Sequence, residues 1–192
     1  MKPFKRRRKG GLAAEFERNE ALLLSNLAAQ MIELLRDRNG AEESSADPLA
    51  QFVGMSGPIA PPEDPVLSRL LPDAYSGDPE NSAEFRRYTE QSLTSHKVTN
   101  AQMVIDALID GGLSEEHDSS ARIEVELDQG SAFAWMKTLT DIRLALSIRL
   151  GIETEADMDR LEYADDEYEQ QTFDIYEWLG YVQESLVQAA SA

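Results

Sequence analysis

Side chains capable of nucleophilic or acid–base chemistry are few in this sequence. Its 192 residues include two His, His96 and His117, and no Cys. A thiol nucleophile, a thiol redox switch and a thiolate metal site are therefore excluded for this chain. Neither His lies near a nucleophile motif, so we expect both to be surface or hydrogen-bonded side chains. We predict that the chain is not an enzyme and uses no cofactor.

Carboxylates, in contrast, are abundant. Asp and Glu total 36 against 18 Lys and Arg, which gives a formal net charge of -18. From Glu153 to Glu184 there are twelve acids and a single base, Arg160. Such a surface could bind a basic partner, although a plain solvated face is the commoner case. Asp157 and Asp159 have calcium-loop spacing, but the turn glycine and the distal Glu of an EF-hand are missing. We predict no metal site.

A basic cluster near the start of the chain, from Lys5 to Lys9, could bind phosphates or an acidic protein surface. The rest of the chain is strongly acidic and opposes approach to DNA, so we do not expect direct nucleic-acid binding. Glu15 and Glu17 follow where a signal peptide would need apolar residues. No run reaches the roughly 18 apolar residues of a membrane span. These features predict a cytoplasmic protein without membrane association.

Residues 1–16 fit either a hairpin or a disordered basic arm. In the hairpin, the strands would be 4–8 and 12–16, with a turn at Lys9-Gly10-Gly11. Residues Arg122 to Leu127 alternate charged and apolar side chains, which predicts a further strand. A lone strand leaves backbone groups unpaired, so the hairpin would be its natural partner.

Helical periodicity covers most of the remaining chain. The predicted helices are 16–38, 49–53, 66–71, 79–110, 129–150, a short one beginning near 155, and a last one through 168–186. Seven of the eight prolines lie between Pro48 and Pro79, so region 41–80 should be short helices and turns. The stretch Ser92 to Asn100 within the long helix is polar enough to allow a break there. We predict a single, mainly α (α+β) domain over 1–192, with a small antiparallel sheet and with a strand and C-terminal helices in 121–192.

Arg86 and Arg87 lie on the long predicted helix, with Glu84, Glu90 and Lys97 at helical spacings. These residues fit a set of exposed ion pairs or a guanidinium patch for an acidic partner. The spacing alone favours the exposed pairs.

The sequence DPVLSRLLPDAY at 64–75, followed by AEFRRYTE at 83–90 and by Lys97, resembles the signature of an actinobacterial family of AosR-like oxidative stress regulators, long classified as a domain of unknown function. Further similarity lies in 135–150 and 176–179. The resemblance implies a cytoplasmic, non-enzymatic regulator that associates with a stress sigma factor. In one branch of this family, the oxidative stress regulators, the resemblance implies that two cysteines sense oxidation. This chain has none, so only the partner-binding role can be carried over.

We therefore expect a protein-interaction regulator that acts on transcription through a sigma factor or RNA polymerase. The family's gene neighbourhood suggests an alternative, an accessory factor of the Clp protease or its adaptor. A carboxylate-dependent hydrolase is a second alternative. A homodimer is also possible, since the long helices offer apolar faces. Our candidate partner-binding residues are Arg6, Arg7, Arg8, Asp64, Pro65, Leu70, Leu71, Arg86, Arg87 and Lys97.

Overall fold

The computed structural model describes residues 1–8, 10–43, 60–75, 77–113 and 122–192. Within these ranges the strands are β1 (Lys2–Arg6), β2 (Leu12–Phe16) and β3 (Ile123–Leu127). The helices are α1 (Arg18–Glu43), α2 (Pro65–Leu70), α3 (Pro79–Asp110), α4 (Gln129–Leu150), α5 (Glu155–Glu162) and α6 (Glu167–Ser191). The mainly α fold with a small antiparallel sheet is confirmed. The predicted helix 49–53 and the loop with His117 lie outside the described residues, and the single-domain assignment stays a prediction.

Antiparallel pairing joins the hairpin to the later strand in the order β1-β2-β3. The β2–β3 register runs from Leu12 opposite Leu127 to Phe16 opposite Ile123. Gly11 in the hairpin turn has a φ of 78°, which glycine adopts at little cost. A Cβ atom there would also lie 2.9 Å from the carbonyl oxygen of Leu127. Of the two alternatives for 1–16, the hairpin is confirmed and the disordered arm is wrong.

Helices meet both outer edges of the sheet. On β1, the backbone N–H of Phe4 donates to Oγ of Ser185 in α6 over 3.4 Å. On β3, the backbone N–H of Glu124 donates to the carbonyl oxygen of Gly111, directly after α3, over 3.3 Å. These contacts occupy edge groups that could otherwise pair with another strand.

The sheet packs on α4 through aromatic rings. Trp135 is fully buried, and its ring centroid lies 5.7 Å from that of Phe4 and 6.0 Å from that of Phe16. Since α4 also packs against α2, α3 and α6, it is the central helix, as its several apolar faces predict. Phe133 and Ile148, although apolar, are exposed on α4. Helix residues two apart point about 200° apart, so burial of Trp135 directs Phe133 outward.

Capping residues begin the helices where the sequence predicts them. Asp64 accepts hydrogen bonds from the backbone N–H groups of Val66 and Leu67, at 2.7 and 3.1 Å, and Pro65 is the first residue of α2. Helix α3 is continuous from Pro79 to Asp110, so the predicted helix 79–110 is confirmed and the polar stretch at 92–100 does not break it. Polar composition alone does not end a helix when no Gly or Pro interrupts it.

Candidate functional site

One face of α3 changes character along its length. In the first half, the buried residues are polar and recur every fourth position: Ser82, Arg86, Glu90 and Thr94. In the second half, the buried residues Ala101, Val104 and Leu108 are apolar and belong to the main core. A spacing of four keeps successive side chains on one side of a helix. The first half of α3 therefore packs through polar contacts, and these residues overlap the signature 83–90.

The loop after α2 is fixed to this polar face at two points. The Arg86 guanidinium forms an ion pair with the carboxylate of Asp73. The Ser82 hydroxyl donates to the carbonyl oxygen of Tyr75 over 3.0 Å and accepts from the Tyr75 backbone N–H over 3.3 Å. Arg86 is only 4% exposed, so the prediction that it forms exposed ion pairs is wrong. Its charge-assisted hydrogen bond instead positions the loop.

A second buried pair joins α3 to α1. Nε of Arg38 donates to Oε1 of Glu90 over 3.0 Å, and both side chains are largely buried. Nη2 of Arg38 also donates to the carbonyl oxygen of Ala60, over 2.7 Å. Glu90, like Arg86, was expected on an exposed surface, and its burial corrects that expectation. The Arg38 guanidinium compensates part of the hydration that the Glu90 carboxylate loses on burial, whereas Oε2 of Glu90 has no hydrogen-bond partner among the described residues.

A third pair joins α3 to α4. Nζ of Lys97 donates to Oδ1 of Asp141 over 2.6 Å, and both side chains are mostly buried. Burial raises the pKa of Asp141, while the nearby Lys97 and Lys137 ammonium groups oppose that rise. The three pairs together tie the first two-thirds of α3 to α1, to α4 and to the loop after α2.

Above this network lie three exposed aromatic side chains, Tyr75, Phe85 and Tyr88, which we call the aromatic patch. They are 50%, 44% and 64% exposed, respectively. The Tyr75 and Phe85 rings meet edge to face with centroids 6.1 Å apart. Tyr88 is one helical turn beyond Phe85 and therefore lies beside it. Exposed rings held on a rigid helix are typical of surfaces that bind other proteins.

The structure separates the sequence-predicted residues into groups. Arg6, Arg7 and Arg8 belong to β1 and the turn after it, where Arg7 pairs with Glu126. Strand β1 packs on α6, and this basic segment is not part of the aromatic patch.

The other candidates surround α2 and α3. Asp64 and Pro65 begin α2, and Lys97 is paired with Asp141. Leu70 and Leu71 are buried in the main core, and Arg86 is buried as well, so a partner cannot contact these side chains directly. Arg87 is half-buried. That these residues bind a partner stays a prediction. Only the side chains that are accessible to solvent would contact the partner directly.

Sequence reasoning missed the patch residues as a surface and missed the partners of the buried charges. Phe85 and Tyr88 lie within the signature 83–90, but neither is among the candidate partner-binding residues. The spacing shows only that residues 82, 86, 90 and 94 share one side of the helix and that Phe85 and Tyr88 lie on other sides. It does not show that the polar side is the buried one.

Among residues that the structure describes, no three His, Asp or Glu side chains come together in a way that could hold a metal ion. None of the described helices combines the length and apolar character that crossing a membrane requires.

Comparison with known proteins supports the resemblance seen in the signature. Residues 1–190 match the family described as Domain of unknown function (DUF2017). Proteins of Mycobacterium tuberculosis and Mycobacterium bovis named oxidative stress regulator AosR are each 33% identical over 183 residues. These alignments cover 88% of this chain and 77% of each relative. No solved structure gives a significant match.

Proposed function

This chain belongs to the DUF2017 family, and we propose that it is a non-enzymatic, cytoplasmic regulator that acts by binding another protein through the aromatic patch. The exposed position of Tyr75, Phe85 and Tyr88 supports this proposal more than any other observation. Burial of such rings at an interface removes a large apolar area from water, and tyrosines are common among residues that dominate binding energy.

The polar network below the patch supports the same proposal. The Arg86 pair with Asp73 and the bonds between Ser82 and Tyr75 hold the Tyr75 ring against α3. A surface fixed before binding loses less conformational entropy when the partner arrives. We infer that the signature residues act by presenting the patch in one conformation.

The partner that we propose is a component of the transcription machinery, a sigma factor or RNA polymerase. The support is the similarity to proteins named oxidative stress regulator and the sigma-factor association that the resemblance implies. With no Cys in this chain, regulation would not use a disulfide.

The experiment is affinity purification from the native cell, with the partner identified by mass spectrometry and then purified. Wild type and a Phe85→Ala, Tyr88→Ala double variant are compared, with Tyr163→Ala as the matched control because Tyr163 is 79% exposed outside the patch. We expect a transcription component to be retained by wild type and control and lost by the double variant. Retention of a Clp protease component instead would support the alternative function.

A further inference from the structure

A groove of about 510 Å³ runs between the middle of α3 and α4. It is open to solvent along the surface. Residues that matter for its chemistry are Leu93, His96 and Lys97 from α3 and Met136, Lys137 and Asp141 from α4.

The charge of this groove is opposite to that of the chain. Lys97 and Lys137 face a single carboxylate, Asp141, and His96 lines the same groove. By comparison, the groove between α3 and β3 is lined by four carboxylates, Asp106, Asp110, Glu124 and Glu126. Within a protein of net charge -18, the α3–α4 groove is thus a local region of positive charge.

The buried pair positions one of the two ammonium groups. Asp141 holds Nζ of Lys97 at 2.6 Å and compensates one positive charge. An ammonium group has three donors, so this bond leaves Lys97 further donor capacity toward the groove. Lys137 is exposed and lies one helical turn before Asp141. Because the Asp141 carboxylate is bonded to Lys97, the Lys97–Asp141 pair does not neutralise the charge of Lys137.

Apolar side chains complete the lining. Leu93 is 40% exposed, and Met136 is a partly buried residue packed against the core. Sites for small molecules usually enclose most of their ligand. An open groove that combines positive charge with apolar surface is better suited to side chains presented by a bound polypeptide.

We propose that the α3–α4 groove binds an acidic, amphipathic segment of a partner protein, with a carboxylate between Lys97 and Lys137 and an apolar side chain on Leu93 and Met136. This inference rests on the proposed function, since it requires a protein partner. Charge complementarity between the groove and a carboxylate is its basis. At physiological ionic strength, exposed charges more than about 8 Å away are screened, so the sign of the groove outweighs that of the distant surface.

The test titrates the isotopically labelled full chain with two capped peptides and follows its amide NMR signals. The first peptide is Leu-Glu-Ala-Leu-Glu-Ala-Leu, and the second has Gln in place of each Glu. We expect shifts around Lys97 and Lys137 with the Glu peptide and binding about fivefold weaker with the Gln peptide, the upper range for one exposed ion pair. Equal binding of both peptides, or no shift at millimolar peptide, would overturn the proposal.

Variants and a simple anion sharpen the result. Lys137→Glu should abolish the preference for the Glu peptide, while Lys137→Arg and the control Lys5→Glu, at an exposed β1 position, should keep it. Inorganic phosphate is titrated alone, and comparable affinity at the same residues would show a general anion site and refute the polypeptide assignment. If Lys137→Glu lacks any effect while the patch variants still lose the partner, the groove proposal fails and the proposed function stands.

Discussion

Asp73 and Arg86 form an ion pair between the loop after α2 and the buried face of α3. The pair crosses 13 residues of sequence and encloses the turn that leads into α3. Asp73 is half-exposed and Arg86 is almost fully buried. The arginine side chain therefore extends from the buried face of α3 to the loop. This arrangement explains why the signature combines an acidic loop with a helical arginine.

Charge reversal at Arg86 and at the adjacent Arg87 should therefore change the free energy of unfolding by very different amounts. Arg86→Glu places a buried carboxylate next to Asp73 and should lower the free energy of unfolding by about 3 kcal/mol or more. Arg87→Glu changes a half-buried side chain outside the Arg86–Asp73 pair and should cost less than about 1 kcal/mol. Urea unfolding followed by circular dichroism measures both values. Equal losses of unfolding free energy in the two variants would show that the buried Arg86–Asp73 pair does not stabilise the fold.

Glu90 gives an independent test of the buried network. Glu90→Ala removes the buried carboxylate that pairs with Nε of Arg38 and should lower the free energy of unfolding by about 3 kcal/mol. Glu84→Ala, at an exposed position of the same helix, should change it by less than about 0.5 kcal/mol. A double-mutant cycle with Arg38→Ala isolates the pair, and a coupling energy near zero would argue against it.

The raised pKa of Asp141 predicts a pH dependence of stability. An acid with a raised folded-state pKa binds its proton more tightly in the folded chain than in the unfolded chain. This stabilisation is present at low pH and is lost as the pH rises from the ordinary value of 3.8 through the folded-state pKa.

In Asp141→Asn the side chain cannot ionise, so this variant should not lose stability through position 141 as the pH rises. The free energy of unfolding of wild type minus that of Asp141→Asn should therefore fall as the pH rises above about 4, and then become constant. Thermal or urea unfolding across this range measures the difference. A difference that increases with pH would mean that the Lys97 ammonium outweighs burial and that the pKa of Asp141 is lowered.

The start of α2 offers a fourth test. Asp64→Ala removes the acceptor of two backbone N–H groups and should destabilise the chain by about 1 kcal/mol, whereas Asp64→Asn keeps an acceptor and should cost less. Differential scanning calorimetry compares the two melting temperatures. Identical melting temperatures for wild type and Asp64→Ala would show that the cap contributes nothing measurable.

Local signals were enough to predict much of the fold. The glycine pair made a hairpin one of two alternatives for residues 1–16, and the alternation of residues 122–127 predicted its partner strand. The predicted helix 129–150 coincides with α4, which Asp128 caps and Gly151 ends. These features depend on backbone conformation and on neighbours within a few residues, which a sequence displays directly.

The candidate site was less accessible for a physical reason. Its ion pairs join residues far apart in sequence: Arg38 and Glu90 are separated by 52 positions, and Lys97 and Asp141 by 44. Helical spacing within α3 indicated pairs along that helix, but the observed pairs cross between elements. Which charges become buried depends on tertiary packing, and a single helix does not specify it.

The most direct test of the central claim is the dissociation constant of the identified partner, measured by isothermal titration calorimetry with the full chain. If binding depends on the aromatic patch, Phe85→Ala, Tyr88→Ala should weaken it by about 2 kcal/mol, roughly thirtyfold, while the unfolding transition shows an intact fold. The Tyr163→Ala control should bind like wild type. A correctly folded double variant with an unchanged dissociation constant would contradict the claim that this surface binds the partner.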